Sequence, residues 1–167
     1  MELDEAEEAE VVSASVADLI DAITAREAGT DDAGRPMFTT TSPDWWVGER
    51  TFGGMVVAQA LHAAMQTAPR GTELHSLHGY FLRPTPNGAR TIHVVERVRD
   101  GRSFSSREVT SQVEGKDTFR LACSFHAPED GEEYQLPMAS NVPAAKDIEG
   151  FEAPFPFDIR ELGATER

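Results

Sequence analysis

The chain has 167 residues, one domain's worth, with 40% hydrophobic residues and a net charge of −14. No apolar run reaches the roughly 18 residues of a membrane-spanning helix, and the acidic N-terminus lacks the pattern of a signal peptide. A single cysteine, Cys123, excludes an intrachain disulfide and any multi-cysteine metal site, so a reducing, cytoplasmic setting is the expectation.

The charge is unevenly spread. Residues 1–32 hold eleven acids and one base, residues 33–128 eight acids and eleven bases, and residues 129–167 ten acids and three bases. A mildly basic, arginine-rich body is thus expected between two acidic ends. No dense basic patch points to nucleic acid.

Residues 1–12 read as a disordered acidic leader. "SVADLIDAITAREA" then reads as an amphipathic helix, with Ser15 and Asp18 spaced like a capping box and Val16, Leu19, Ile20 and Ile23 on one stripe. "GTDDAGRP" is expected to be a loop and "MFTTTS" a strand. "PDWWVGER" approaches the next element and brings Asp44, Trp45, Trp46 and Glu49; the tryptophans suit the floor of an apolar tunnel or a domain interface.

"RTFGGMVVAQALHAAMQ" follows, with no charge between Arg50 and Arg70. A helix from Gly54 to about Ala68 with no charged face has no side suited to water. Its small residues Ala58, Ala60, Ala63 and Ala64 allow a sheet to approach closely, so it is expected to be buried nearly all round. Gln59, His62 and Gln66 fall on one face, either as a pocket lining or as a polar seam. Pro69, Arg70 and Gly71 stop the helix.

Four strands are expected next. "ELHSLHGYFLRP" ends at Pro84, and "RTIHVVERV" carries Ile92, Val94 and Val98 on one face. After the turn "RDGRS" come "FSSREVTSQV" and, beyond "EGKD", "TFRLACSFH". In that last strand Phe119, Leu121, Cys123 and Phe125 alternate with polar residues, so Cys123 reads as core rather than nucleophile. Residues 136–167 read as a Pro- and acid-rich linker or tail after a single domain at 13–135. The expected class is α+β, a curved antiparallel sheet around a long central helix.

Candidate chemistry concentrates at the glycine pair. A helix N-terminus presents unpaired N–H groups and partial positive charge, and glycine lets a ligand approach the backbone. N–H groups at Gly54 and Met55 suit a developing oxyanion, with Gly53 and Gln59 beside the bound ligand. The equally simple alternative is a tight strand-to-helix turn. Candidate bases are His75, His78, His93 and His126, each with a plainer role as a hydrogen-bonded strand residue. Asp44 and Glu49 are the acids nearest the helix start, and Asp44 is the carboxylate expected to act if this chain hydrolyses a substrate alone. Arg97, Arg99, Arg102 and Arg107, with Ser103 and Phe104, cluster at a turn that suits phosphate binding or simply a solvated hairpin tip. No metal-ligand spacing, P-loop or dinucleotide fingerprint occurs, and no cofactor is expected.

"RTFGGMVVAQAL", "LHSLHGYFLRP", "RDGRSFSSREV" and "LACSFHAPE", in this order, resemble the N-terminal half of the bacterial acyl-CoA thioesterase II family. The resemblance covers roughly residues 14–135. It implies the hotdog fold, an acyl-CoA substrate and hydrolysis to a free acid and CoA. Members of that family resemble two hotdog domains in tandem, and their water-positioning Asp, Thr or Ser, and Gln lie in the second half. Overlaid on this chain, these positions fall near Gly53 and Gly54, near Leu74, and at His126. None matches, although His126 retains the capacity to hold a water. The resemblance therefore also allows a non-catalytic acyl-CoA-binding half, and it implies a homodimer or pairing with a second hotdog domain. A second hotdog pattern, with an acid in the central helix, is not met, and a hydratase pattern is not supplied by "RPTPNGA".

Overall fold

The computed structural model describes residues 15–44, 48–151 and 159–160. The leader at 1–12 and Trp45 and Trp46 lie outside the described residues, so the tunnel reading of the tryptophans falls there too.

Helix α1 spans Val16–Ile23, opened by the expected capping box: the Asp18 N–H donates to Ser15 Oγ, and the Asp18 carboxylate accepts from the Ser15 N–H. The helix is shorter than the sequence suggests. Residues expected to continue it form strand β1, Arg26–Thr30, which pairs antiparallel with β2, Pro36–Thr41. Propensity loses here to a tertiary hydrogen-bonding demand, because the backbone of Ala25 is claimed by the central helix. The apolar stripe is only partly used, with Val16 and Ile20 remaining exposed.

That central helix, α2, spans Gly53–Met65. It ends one turn before the expected Ala68, and Thr67 and Ala68 continue as turn backbone bonded to Ala64 and Met65. From Met55 to Ala64 no residue is exposed. Its three polar side chains form a seam against the α1–β1 junction. Gln59 Nε2 donates to the Ala22 carbonyl at 2.8 Å, the Ala25 N–H donates to His62 Nδ1 at 3.0 Å, and Gln66 Nε2 donates to the Ala25 carbonyl at 2.6 Å. Each polar side chain of the uncharged segment thus meets a backbone group that needs a partner, with Gln59 buried, His62 half-buried and Gln66 exposed at the C-cap.

Four strands follow: β3 (Glu73–Phe81), β4 (Arg90–Asp100), β5 (Phe104–Val113) and β6 (Lys116–His126). The six strands form one antiparallel sheet in the order β1-β2-β4-β5-β6-β3. Phe38, Val95, Val109, Phe119, Leu121, Cys123 and Phe125 meet Val56, Ala60, Ala63 and Ala64 of α2 in the core. Burial lifts the Cys123 thiol to about 11, which suits a core residue and not a nucleophile. In β4 the buried face is Thr91, His93 and Val95. Ile92 and Val94 are half-buried on the opposite face and Val98 is exposed there, so the expected apolar face is the outer one.

Strand β3 is an edge. Leu77 and Phe81 point to the helix side yet remain 42% and 60% exposed. Gly79 between them is required: a Cβ there would lie 2.5 Å from the Phe119 ring. From Pro128 to Gly150 the chain is largely exposed, with a 3-10 turn at Ala145–Asp147, and a two-residue pairing joins β7 (Gly150–Phe151) to β8 (Ile159–Arg160). This small ladder was not expected in a linker.

Candidate active site

The start of α2 lies at the Phe81 end of β3. Phe52 caps the helix through its carbonyl, which accepts from Met55 N–H at 2.9 Å and Val56 N–H at 3.2 Å. The expected Met55 donor is therefore already spent. The first turn's remaining N–H groups, those of Gly53 and Gly54, carry no hydrogen bond among the described residues. Aromatic rings flank both glycines. A Cβ on Gly54 would meet the Phe52 ring at 2.5 Å, and one on Gly53 would meet the Phe81 ring at 3.2 Å. These contacts, as much as backbone freedom, explain the pair.

An open groove of about 370 Å³ adjoins this end, lined by Arg50, Gly53, Val56, Phe81, Leu82 and Arg83 among others. Its lining contains no Asp, Glu or His. The groove can thus hold an apolar chain and stabilise developing negative charge. It offers no group to take a proton from water. Arg50 and Arg83 each lie in a quoted motif, but neither was singled out, because they are distant in sequence; the β-bridge of Arg50 to Pro86 and the Thr51 N–H bond to the Thr85 carbonyl bring them to one groove.

The other expected residues lie elsewhere. Asp44 lines a separate groove with Asp18, Asp21 and Gly88. His78 is on the outer face of β3, its ring 4.7 Å from that of Tyr80, with the sheet between it and α2. His126, also on the outer face, pairs with Glu73, at the far end of β3 from Phe81. Eight residues of strand put these ends about 26 Å apart. Within one chain neither histidine reaches the helix start. Gln59 was expected beside a ligand and is instead committed to the Ala22 carbonyl.

His93 is fully buried, its Nε2 2.9 Å from Thr40 Oγ1 and its Nδ1 2.9 Å from Ser111 Oγ. Burial pushes its pKa down to about 4, and the residue is a core polar link rather than a base. Arg107, expected among the phosphate-binding arginines, is 1% exposed. Its Nε donates to Thr67 Oγ1 at 2.9 Å, and Nη2 donates to the Thr67 carbonyl at 2.8 Å and to Asp100 Oδ1 at 2.6 Å. Nη1 donates to the carbonyls of Arg99 and Ser106. This guanidinium ties the end of α2 to the β4–β5 turn. Arg99, Arg102, Ser103 and Phe104 are exposed at that turn. Among the described residues no cluster of three or more His, Cys, Asp or Glu has metal-binding geometry, and no helix is long and apolar enough to cross a membrane.

Comparison with known proteins places this geometry. The family model for the acyl-CoA thioesterase N-terminal domain matches residues 42–126, just over half of the chain. The acyl-CoA thioesterase 2 of Haemophilus influenzae is 46% identical over 100 residues, covering 59% of this chain and 34% of that protein. The solved acyl-CoA thioesterase II of Mycobacterium marinum superposes with a TM-score of 0.65 at 30% identity, covering 79% of this chain and 47% of that one. A hot dog fold protein from Alicyclobacillus acidocaldarius superposes with a TM-score of 0.67 at 24% identity, over 81% of this chain and 49% of that one. The fold is the hotdog arrangement. The chain spans about a third of the length of the curated relatives it matches.

Proposed function

We propose, for a chain that belongs to the acyl-CoA thioesterase N-terminal domain family, the hydrolysis of an acyl-CoA thioester to a carboxylic acid and coenzyme A. The observation that carries this reading is the start of α2, where the unpartnered Gly53 and Gly54 N–H groups adjoin a groove walled by Val56, Phe81 and Leu82. A thioester carbonyl set against Gly54 would have its oxyanion stabilised as water adds, and the CoA thiolate leaves when the intermediate collapses. The acyl chain would lie along the apolar wall.

The attacking water must lose a proton, and the groove lining holds no base. That group is assigned to a second hotdog domain, either another copy or a separate partner. Edge strand β3 is the surface offered for it, with Leu77 and Phe81 exposed beside unpaired backbone groups. Antiparallel pairing of two such edges would set the Glu73 end of one against the Phe81 end of the other. The absence of a base from the groove also supports a second reading, in which this domain binds acyl-CoA and a partner performs the chemistry. A cytoplasmic setting fits both readings.

The test is thermal stabilisation and thiol release with octanoyl-CoA, on the native chain and on Gly54→Ala. Stabilisation by the ligand is expected, with turnover well below the roughly 10 per second of a median enzyme. Gly54→Ala keeps its N–H but displaces the Phe52 ring at the carbonyl site, and misplacement of this kind should cut turnover by ~10²-fold. Unchanged turnover in Gly54→Ala would refute the placement of the carbonyl. Thiol release without dependence on a second domain would place the base within this chain, at Asp44 or Glu49.

A further inference from the structure

On the outer face of the sheet, away from α2, three rings meet at the β4–β5 turn. Phe104 and His126 lie nearly face to face, with centroids 4.2 Å apart and planes tilted by 30°. His75 approaches Phe104 edge-on at 5.3 Å, and its ring lies 5.8 Å from His126. Register explains the gathering: Phe104 and His126 are direct cross-strand partners, and the irregularity between Leu74 and Ser76 brings His75 over Ser124, with Nδ1 3.3 Å from its hydroxyl. Phe104 stays 44% exposed although core space lies one residue away, at Ser105.

The turn's one carboxylate, Asp100, is taken up by buried Arg107. Arg99 and Arg102 are thereby left exposed, with no carboxylate partner among the described residues. Arg50, Arg70, Arg90 and Arg97 likewise have no carboxylate partner among the described residues, whereas Arg26, Arg35 and Arg120 each pair with an aspartate; what sets Arg99 and Arg102 apart is their place beside an exposed ring. Two acids adjoin His126: Glu129, 3.4 Å from its Nε2, and Glu73, its cross-strand partner.

We infer that this turn is a nucleotide platform: Phe104, backed by His126 and edged by His75, stacks a purine, and Arg99 and Arg102 bind its phosphates. Exposed aromatic faces bind bases by stacking, and guanidinium groups bind phosphate oxygens in pairs. The inference rests on the acyl-CoA reading for its choice of ligand, the 3′-phosphoadenosine diphosphate end of coenzyme A, which this platform would receive from a thioester at the α2 start of a second copy paired along β3, since within one chain the two sites lie at opposite ends of that strand. It assigns His126 to this end of the molecule and not to the water.

Three probes test it by calorimetric titration: adenosine 3′,5′-bisphosphate, the thioether S-octyl-CoA, and S-octyl-pantetheine, which lacks the nucleotide. Phe104→Ala should weaken the first two about tenfold and leave the third unchanged, and Phe104→Trp should restore affinity. Arg99→Gln with Arg102→Gln should weaken the same two probes and flatten their salt dependence. If Phe104→Ala binds S-octyl-CoA within twofold of the native chain, the platform is wrong while the acyl-CoA reading stands. If the native chain binds the bisphosphate through Phe104 but never binds S-octyl-pantetheine or hydrolyses octanoyl-CoA, the acyl-CoA reading fails and the platform stands. Absence of binding to all three overturns both.

Discussion

Arg107 and His93 show how single residues change role once the strands are set in register. Both were candidates for chemistry because their side chains bind phosphate or move protons. Both lie on the inner face, and the sequence contained the signal. Arg107 is two residues from Val109, and His93 is two from Val95, so period-2 alternation puts each on its core neighbour's face. What alternation does not reveal is the partner set. Thr67 and Asp100 satisfy Arg107 from two other elements, and Thr40 and Ser111 satisfy His93 from the two neighbouring strands. Arg107→Met should cost about 3 kcal/mol in urea denaturation, kept from being larger because Asp100 remains half-exposed. His93 gives a pH signature. Its folded pKa of about 4 lies below the ordinary 6.5, so the unfolded chain takes up the proton first. The associated stability is complete above pH 6.5 and falls as pH drops toward 4, by about 3 kcal/mol in all. His93→Gln should flatten that part of the stability–pH curve. A curve with the same slope in the variant would show that His93 is not the group responsible.

At the scale of elements, α2 was the most legible. Its missing charges and its alanines predicted burial nearly all round; Met55, Val56, Gln59, Ala60, Ala63 and Ala64 are buried, while Val57, Ala58, Leu61 and His62 on the other side are half-buried. Either Ala60→Glu or Ala64→Glu should prevent soluble folding, since each places a carboxylate at a fully buried position against the sheet. Recovery of both variants folded, by circular dichroism, would contradict the enclosed helix. Strand β1 was not legible. Residues 24–28 continue a helical pattern, and the seam of Gln59, His62 and Gln66 explains why the chain extends there. That seam depends on contacts 37 to 41 residues distant in sequence, which periodicity cannot report. The β7–β8 pairing is similarly silent, because two-residue strands carry no pattern.

At the scale of the whole molecule, the central claim is that one hotdog domain supplies the oxyanion site and a second supplies the base. Four motifs in order made the family legible, but the distance between the helix start and His126 was not, because strand direction and face had to be known first. The claim is tested by following thiol release from octanoyl-CoA across a dilution series while light scattering reports mass. The account predicts a mass near twice 18.3 kDa at high concentration, and thiol release per chain that declines as dilution separates the copies. Release per chain that stays constant in a species of 18.3 kDa would contradict it.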